Sequence, residues 1–270
     1  MKKGKIGIGV VTYNRQDYCE RVLKTVPNVG PRVVVNDGTP YDESVYPEGW
    51  EVITHKENKC VAAAKNTALR YLISQGCEYL FIIEDDILIK DDEVFERYID
   101  AANITGLHHL MYAYHGPANK YPSQDHPKPR LAVKFKEEGD DNSIWFNTHC
   151  VGGFCYYHAG VIKNVGYMDE NFKNAWEHVE HSYRIVKAGI LPAYWWWPDI
   201  AESPRYLDEI ACSEESSVIR PRADWASNIQ TGMRYFKELH GYSPVEITET
   251  SHEEIFKKLE FIKTNYSRAL

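Results

Sequence analysis

Tyr79-Leu80-Phe81-Ile82-Ile83-Glu84-Asp85-Asp86-Ile87-Leu88 is an apolar run that delivers three consecutive carboxylates. About five apolar residues, preceded by Gly76 and followed by acids, read as a strand buried on both faces of a parallel sheet. Three adjacent acids repel one another. They persist at the carboxyl end of a buried strand where a divalent cation neutralises them, and hard oxygen ligands point to Mg²⁺ or Mn²⁺. In open α/β sheets that edge is also where ligands bind. The competing reading, acids lining a helix N-terminus, suits Asp91-Asp92-Glu93 and leaves the first cluster unexplained.

Outward from this strand, the chain alternates. Ile6 to Val11 is β-branched and reads as a strand, followed by the polar turn Thr12-Tyr13-Asn14-Arg15 and a helix from about Asp17 to Val26. Arg32 to Val35 is a second short strand, closed by the turn Asn36-Asp37-Gly38-Thr39-Pro40. Trp50 to Thr54 reads as a third strand. Val61 to Ser74 has helical spacing, with Val61, Ala64, Ala68, Leu69 and Leu72 close to one face, and it carries Lys65 and Asn66. After the acidic strand come a helix from Asp91 to Ala102 and a strand near His109 to Tyr114. This alternation predicts a mostly parallel sheet with helices on both faces.

From Gly116 to Asp141 the pattern dissolves into prolines and charges, with one strand-like piece at Leu131 to Phe135. It reads as a long surface excursion, either a binding segment or a plain insertion. Ile144 to Phe146 and Cys150 to Tyr157 resume strand character, and Gly152-Gly153 either admits a close neighbour or bends the sheet. A short helix follows at Ala159 to Val165, then the turn Gly166 to Glu170, then a helix from Trp176 to Ala188 ended by Gly189. Leu191 to Trp197 reads as a final strand, with Trp195 and Trp197 on one face and Trp196 on the other. Beyond Pro204 the alternation stops. Asp224 to Leu239 and His252 to Tyr266 read as amphipathic helices of a C-terminal extension, so the division expected is residues 1–205 and 206–270. The extension would pack on the domain or build a homo-oligomer.

The 270 residues, 43% hydrophobic and 26% charged, suit one large domain with such an extension. The formal net charge of −8 argues against broad attraction to nucleic acid. The apolar stretch after the basic start, Ile6 to Val11, is too short for a signal-peptide core, and no run approaches the roughly 20 residues of a membrane span. Six cysteines without CxxC spacing then read as reduced thiols of a cytoplasmic protein, not as structural zinc.

Taken in order, these motifs resemble the family-2-like glycosyltransferases of the GT-A fold, from about Ile6 to Pro204. Val10-Val11-Thr12-Tyr13-Asn14-Arg15 is similar to that family's first strand and nucleotide-contacting turn. Asn36-Asp37-Gly38-Thr39 resembles its Asp-Asp-Gly-Ser turn, which implies that Asp37 accepts from the nucleotide base. Val61 to Asn66 resembles the Ala-Arg-Asn helix start that braces the same site, with Lys65 in the basic position. Glu84-Asp85-Asp86 stands at the DxD position. The resemblance implies that Asp86 ligates a metal and that Glu84 or Asp85 contacts the ribose or the metal's outer partners, with Glu84 also a candidate ligand. Gly152 to Tyr156 resembles the strand before the acceptor site, and Val165 to Phe172 the Val-Gly-Gly-Phe-Asp-Glu turn. Trp176-Glu177-His178-Val179-Glu180-His181-Ser182-Tyr183-Arg184 is similar to Gly-Glu-Asp-Val-Asp-Leu-Ser-Tyr-Arg, whose Asp is the acceptor base. Here that position holds His178, and Glu177 competes for the role; alternatively His178 is only a pairing residue, with Ser182, as Glu177 is with His181. The late metal-binding His of many members is missing after Pro198, where Asp199, Glu202 and Ser203 stand, and Glu202 is the candidate replacement.

The resemblance implies transfer of a hexosyl or pentosyl group from a nucleotide sugar, a uridine diphosphate sugar above all, to an acceptor hydroxyl with inversion. Mn²⁺ or Mg²⁺ would neutralise the departing diphosphate. Histidine, with an unperturbed pKa near about 6.5, can serve as a base near neutrality. The acceptor would be a saccharide, another hydroxyl compound, or a hydroxymethylated base in DNA as for some phage enzymes. Rival readings are a noncatalytic sugar-nucleotide or partner-binding module and a nucleotidyltransferase, whose glycine-rich phosphate loop after the first strand is missing here.

Overall fold

The computed structural model describes residues 4–121, 128–136, 142–210, 218–246 and 249–265. The first half runs β1 (Ile6–Thr12), α1 (Gln16–Thr25), β2 (Arg32–Asn36), β3 (Glu51–Thr54), α2 (Cys60–Ser74) and β4 (Tyr79–Glu84). The acidic run does not continue as one strand. β4 closes at Glu84, Asp85 and Asp86 form a turn, and β5 (Ile87–Ile89) is separate. Next come α3 (Glu93–Thr105), β6 (His109–Met111), β7 (Leu131–Lys134), β8 (Ser143–Asn147), β9 (Phe154–His158), α4 (Ala159–Val165) and α5 (Glu177–Lys187). β10 (Trp197–Ile200), α6 (Ser203–Tyr206), β11 (Leu207–Glu209), α7 (Trp225–His240) and α8 (His252–Asn265) complete the chain. Cys212, Tyr266 and parts of the excursion, residues 122–127 and 137–141, lie outside the described residues.

The main sheet has the order β3-β2-β1-β4-β9-β6. β3, β2, β1 and β4 are mutually parallel, while β9 runs antiparallel between β4 and β6. Every residue of β1 and β2 is buried, which is why Ile6 to Val11 and Val33 to Val35 carry no polar residue. A Cβ added at Gly9 would stand 2.7 Å from the Cβ of Ala68, so α2 lies directly on β1. The register pairs Val11 with Glu84 and Thr12 with Asn36. One edge of the sheet therefore gathers the Thr12–Arg15 turn, Asp37 and the Glu84–Asp86 acids. β6, being antiparallel to β9, runs parallel to β4 and releases its following residues at that same edge.

Two small sheets flank the main one, β10-β8-β7 and β11-β5. Past residue 205 the chain returns to the acidic turn: Glu209 pairs with Ile87, and the Ile210 N–H donates to the Asp86 carbonyl at 2.7 Å. The strand expected from Leu191 begins only at Trp197. Trp195 is left-handed, with φ 64°, and this breaks the alternation expected of the three tryptophans. All three indoles are buried nonetheless, with the Arg130 guanidinium 4.1 Å over the Trp196 ring. Among the described residues no helix is long and apolar enough to cross a membrane.

Candidate active site

The end of β1 is tied to the acidic turn. Thr12 Oγ1 donates to Asp85 Oδ2 at 2.6 Å, and the Arg15 guanidinium pairs with Asp85 Oδ1 and, at 3.1 Å, with Asp86 Oδ2. Burial pushes the Asp85 carboxyl up to about 7 against the pull of Arg15. Asp37 is buried at the end of β2, where its Oδ1 accepts from the Lys59 N–H at 2.9 Å and lies 2.6 Å from His55 Nδ1, while Oδ2 accepts from Asn58 Nδ2 at 3.2 Å. A Cβ at Gly38 would fall 2.3 Å from Asn14 Oδ1, the atom that accepts from the Thr39 N–H. Thr12, Tyr13, Arg15, Asp37, Asn58, Glu84 and Asp85 line one cleft, and Asn174, Val218, Ile219 and Arg222 line it too.

Lys65 on α2 is buried, and its Nζ donates to Glu84 Oε1 at 2.6 Å and to the Gly152 carbonyl at 2.9 Å. Burial opposes both charges, yet each stabilises the other: the ammonium is held above its ordinary pKa and Glu84 falls to about 2. Asn66 faces the other way. Its amide bonds the Met168 backbone through both atoms and donates to Glu170 Oε1 at 2.8 Å, so it fastens the turn before α5 instead of lining the cleft.

Glu84, Asp86 and His115 each offer a ligand atom, and the three atoms lie within 4.8 Å of one another. Two carboxylates and an imidazole fit Mn²⁺, and the carboxylates alone fit Mg²⁺. His115 Nδ1 is 3.9 Å from Asp86 Oδ1 and 3.4 Å from Glu209 Oε2. Sequence reasoning missed His115 because it precedes Gly116, where the excursion begins. The signal was present: it follows β6 at the edge that already held the other polar strand ends. Glu202 is not brought to this cluster. It is buried against α3, where Arg97 Nε donates to its Oε1 at 3.0 Å. Asp199 is likewise interior, accepting from Tyr98 OH, from Ser203 Oγ at 2.6 Å and from the Ala113 N–H at 3.0 Å.

His178 and Glu177 open α5. His178 Nδ1 lies 2.9 Å from Glu177 Oε1, and Nε2 lies 3.4 Å from the Cys150 carbonyl oxygen. Glu177 is buried and His178 half-buried, so the imidazole is the more accessible of the two. Burial raises the Glu177 pKa, but His178 outweighs it and holds the carboxylate below its usual range. The helical pairs expected at four-residue spacing do not form: His181 Nε2 meets the Gly166 carbonyl at 2.9 Å, and Ser182 Oγ meets His109 Nε2 at 3.0 Å. The glycine pair explains how these side chains converge. A Cβ at Gly152 would stand 2.9 Å from Lys65 Nζ and 3.1 Å from His178 Cγ, and one at Gly153 would stand 3.0 Å from His115 Cγ.

The sequence matches the model of glycosyl transferase family 2 over residues 8–166. It is 23% identical over 259 residues to the uncharacterized glycosyltransferase R363 of Acanthamoeba polyphaga mimivirus, covering 88% of this chain and 94% of that one. Among solved structures, the mannosyltransferase PcManGT from Pyrobaculum calidifontis, in complex with GDP-Man and Mn²⁺, aligns with a TM-score of 0.50 at 16% identity, over 68% of this chain and 52% of that one. GalNAc-T7 with UDP, GalNAc and Mn²⁺ aligns with a TM-score of 0.59 at 11% identity, over 98% and 58%. The chain thus spans little more than half the length of either solved protein, and at these identities the likeness is one of fold.

Proposed function

The chain belongs to glycosyl transferase family 2, and from that membership we propose that it moves a sugar from a nucleotide-sugar donor to an acceptor hydroxyl in a metal-dependent, inverting reaction. The observation that carries this reading is the convergence of Glu84, Asp86 and His115 beside the cleft lined by Thr12, Asp37 and Asn58. Glu84, Asp86 and His115 would hold Mn²⁺, or the two carboxylates Mg²⁺, and the bound ion would supply charge neutralisation for the departing diphosphate. Both solved relatives named above contain Mn²⁺, which favours manganese.

The chain's own residues divide the remaining work. Asp37, lining the cleft and braced by Asn58 Nδ2, is the acceptor for the N–H of the base, and a UDP sugar is the donor this reading adopts. Tyr13 and Asn14 shape the turn beside it. Arg15 holds Asp85 and Asp86 in place, and Lys65 does the same for Glu84. His178 is the base: its Nδ1 is oriented by Glu177, and its Nε2 takes the proton as the acceptor oxygen attacks the anomeric carbon. The acceptor is a saccharide hydroxyl; a hydroxymethylated DNA base is the less favoured choice for a chain of net charge −8.

The test is hydrolysis of a panel of nucleotide sugars with Mn²⁺ or Mg²⁺ and no added acceptor. Metal-dependent release of one nucleotide, abolished by Asp86→Ala, is the expected result. Absence of release from every donor, together with no nucleotide binding by calorimetry, would reject the proposal.

A further inference from the structure

Trp176 has φ 71°, a left-handed conformation that a bulky side chain adopts only where its surroundings hold it there. Asn174, two residues earlier, is also left-handed at φ 56°. This strained turn runs directly into α5 at Glu177 and His178. It touches the cleft as well, because Asn174 lines it and accepts from the Val61 N–H at 3.3 Å.

What holds Trp176 is α7. The indole Nε1 donates to the Ile229 carbonyl at 3.1 Å. One turn further along, a Cβ at Gly232 would stand 2.8 Å from Trp176 Cδ1 and 3.3 Å from the Ala175 carbonyl oxygen. Glycine is a poor residue for the middle of a helix, and here its missing side chain is what admits the ring. Two further contacts fasten α7 to the same region: Tyr235 OH donates to Asp169 Oδ2 at 2.8 Å, and His240 Nε2 lies 3.2 Å from Glu180 Oε1.

We propose that α7 is the positioning element for the base: Ile229 and Gly232 clamp Trp176 in its left-handed turn and so fix where His178 stands against Gly152 and Lys65. Trp176 and Gly232 are positioning residues, acting through the start of α5. The proposal rests on His178 being the base, and it gives the C-terminal extension a role in turnover apart from plain packing or self-association.

The experiment is a double-mutant cycle of Gly232→Ala and Trp176→Gly, since glycine accepts the left-handed conformation without a ring to clash. The readouts are turnover in hydrolysis of the UDP sugar that the wild type cleaves fastest, binding of UDP and of Mn²⁺ alone, and the His178 Cε1–H resonance, assigned with His178→Asn. Gly232→Ala should lower turnover at least about tenfold and move the His178 resonance. UDP and Mn²⁺ dissociation constants should stay within about twofold, and the same change in the Trp176→Gly background should have no further effect. Wild-type turnover in Gly232→Ala, an equal loss in both backgrounds, or a joint loss of UDP and Mn²⁺ binding would each overturn the clamp. If the wild type cleaves no donor at all, the glycosyl transfer reading fails separately. The His178 resonance then decides alone, and an unmoved signal in Gly232→Ala rejects the clamp.

Discussion

Lys65 Nζ stands 2.6 Å from Glu84 Oε1, joining a fully interior helix residue to the last residue of the central strand β4. The ammonium is 1% exposed and the carboxylate faces the cleft, so the pair keeps Glu84 ionised at a buried strand end.

Lys65→Met should therefore destabilise the protein. Removing one member of a buried pair costs about 3–5 kcal/mol, and because Glu84 is partly exposed the loss here should be about 2–3 kcal/mol. Urea unfolding of the variant measures it, and adding Glu84→Gln should recover most of the loss. A single variant as stable as the wild type would show that Glu84 finds solvation elsewhere.

His115 sets a second expectation. An imidazole beside two carboxylates favours Mn²⁺ over Mg²⁺. His115→Ala should weaken Mn²⁺ binding by about 10–100-fold, a range seen even for lost outer partners, and should leave Mg²⁺ much less affected. Electron paramagnetic resonance of free Mn²⁺ and calorimetry with Mg²⁺ separate the two. Glu202→Gln should leave both affinities within about twofold, as expected of a residue that pairs with Arg97 away from the cluster. Equal losses for the two metals in His115→Ala would remove the imidazole from the site.

How much of this was legible in the sequence follows from what each signal depends on. The parallel strands and their polar ends were readable because burial on both faces leaves a run such as Val33 to Val35 with no polar residue. The pairing of Lys65 with Glu84 was not, since both residues looked like ligand contacts, and only the packing of α2 against β1 aims one at the other. Trp195 and Trp176 escaped for a related reason. A left-handed tryptophan is specified by what clamps it, and neither propensity nor periodicity carries that information. His115 was hidden by a boundary, standing one residue before the stretch read as an excursion.

Stability should respond to acid through the buried histidines. Burial lowers His108 from 6.5 to about 4, with His158 beside it adding to the fall. The unfolded chain thus takes up a proton that the folded chain refuses. The contribution is complete above pH 6.5 and is lost as pH falls from there toward 4. Neither ring nitrogen of His108 has a hydrogen-bond partner among the described residues. His108→Phe should accordingly be neutral or stabilising by up to about 1 kcal/mol at neutral pH. Its advantage over the wild type should widen on acidification through that window. Asp199, pushed up to about 7 by burial, titrates in the opposite sense but is common to both proteins, so the difference between their pH–stability curves is the measurement. A difference independent of pH would mean that His108 is solvated.

Asp199 offers the sharpest link between the interior and the metal cluster. Its two oxygens take three donors: Tyr98 OH on one, and Ser203 Oγ and the Ala113 N–H on the other. Ala113 lies on the short path from β6 to His115, so the carboxylate anchors the backbone that carries that imidazole beside Asp86. Asn in its place keeps the shape but turns one acceptor into an NH₂ group, which must then face hydroxyls or the Ala113 N–H. A buried donor without an acceptor costs about 1–3 kcal/mol, and Asp199→Asn should be destabilised by that amount in urea unfolding. Because the lost acceptor holds the His115 segment, the variant should also bind Mn²⁺ about 3–10-fold more weakly, short of the loss in His115→Ala. Asp199→Asn and His115→Ala combined should be no weaker for Mn²⁺ than His115→Ala alone. Additive losses would show that Asp199 acts on the cluster by another route, since residues that work through one another do not add.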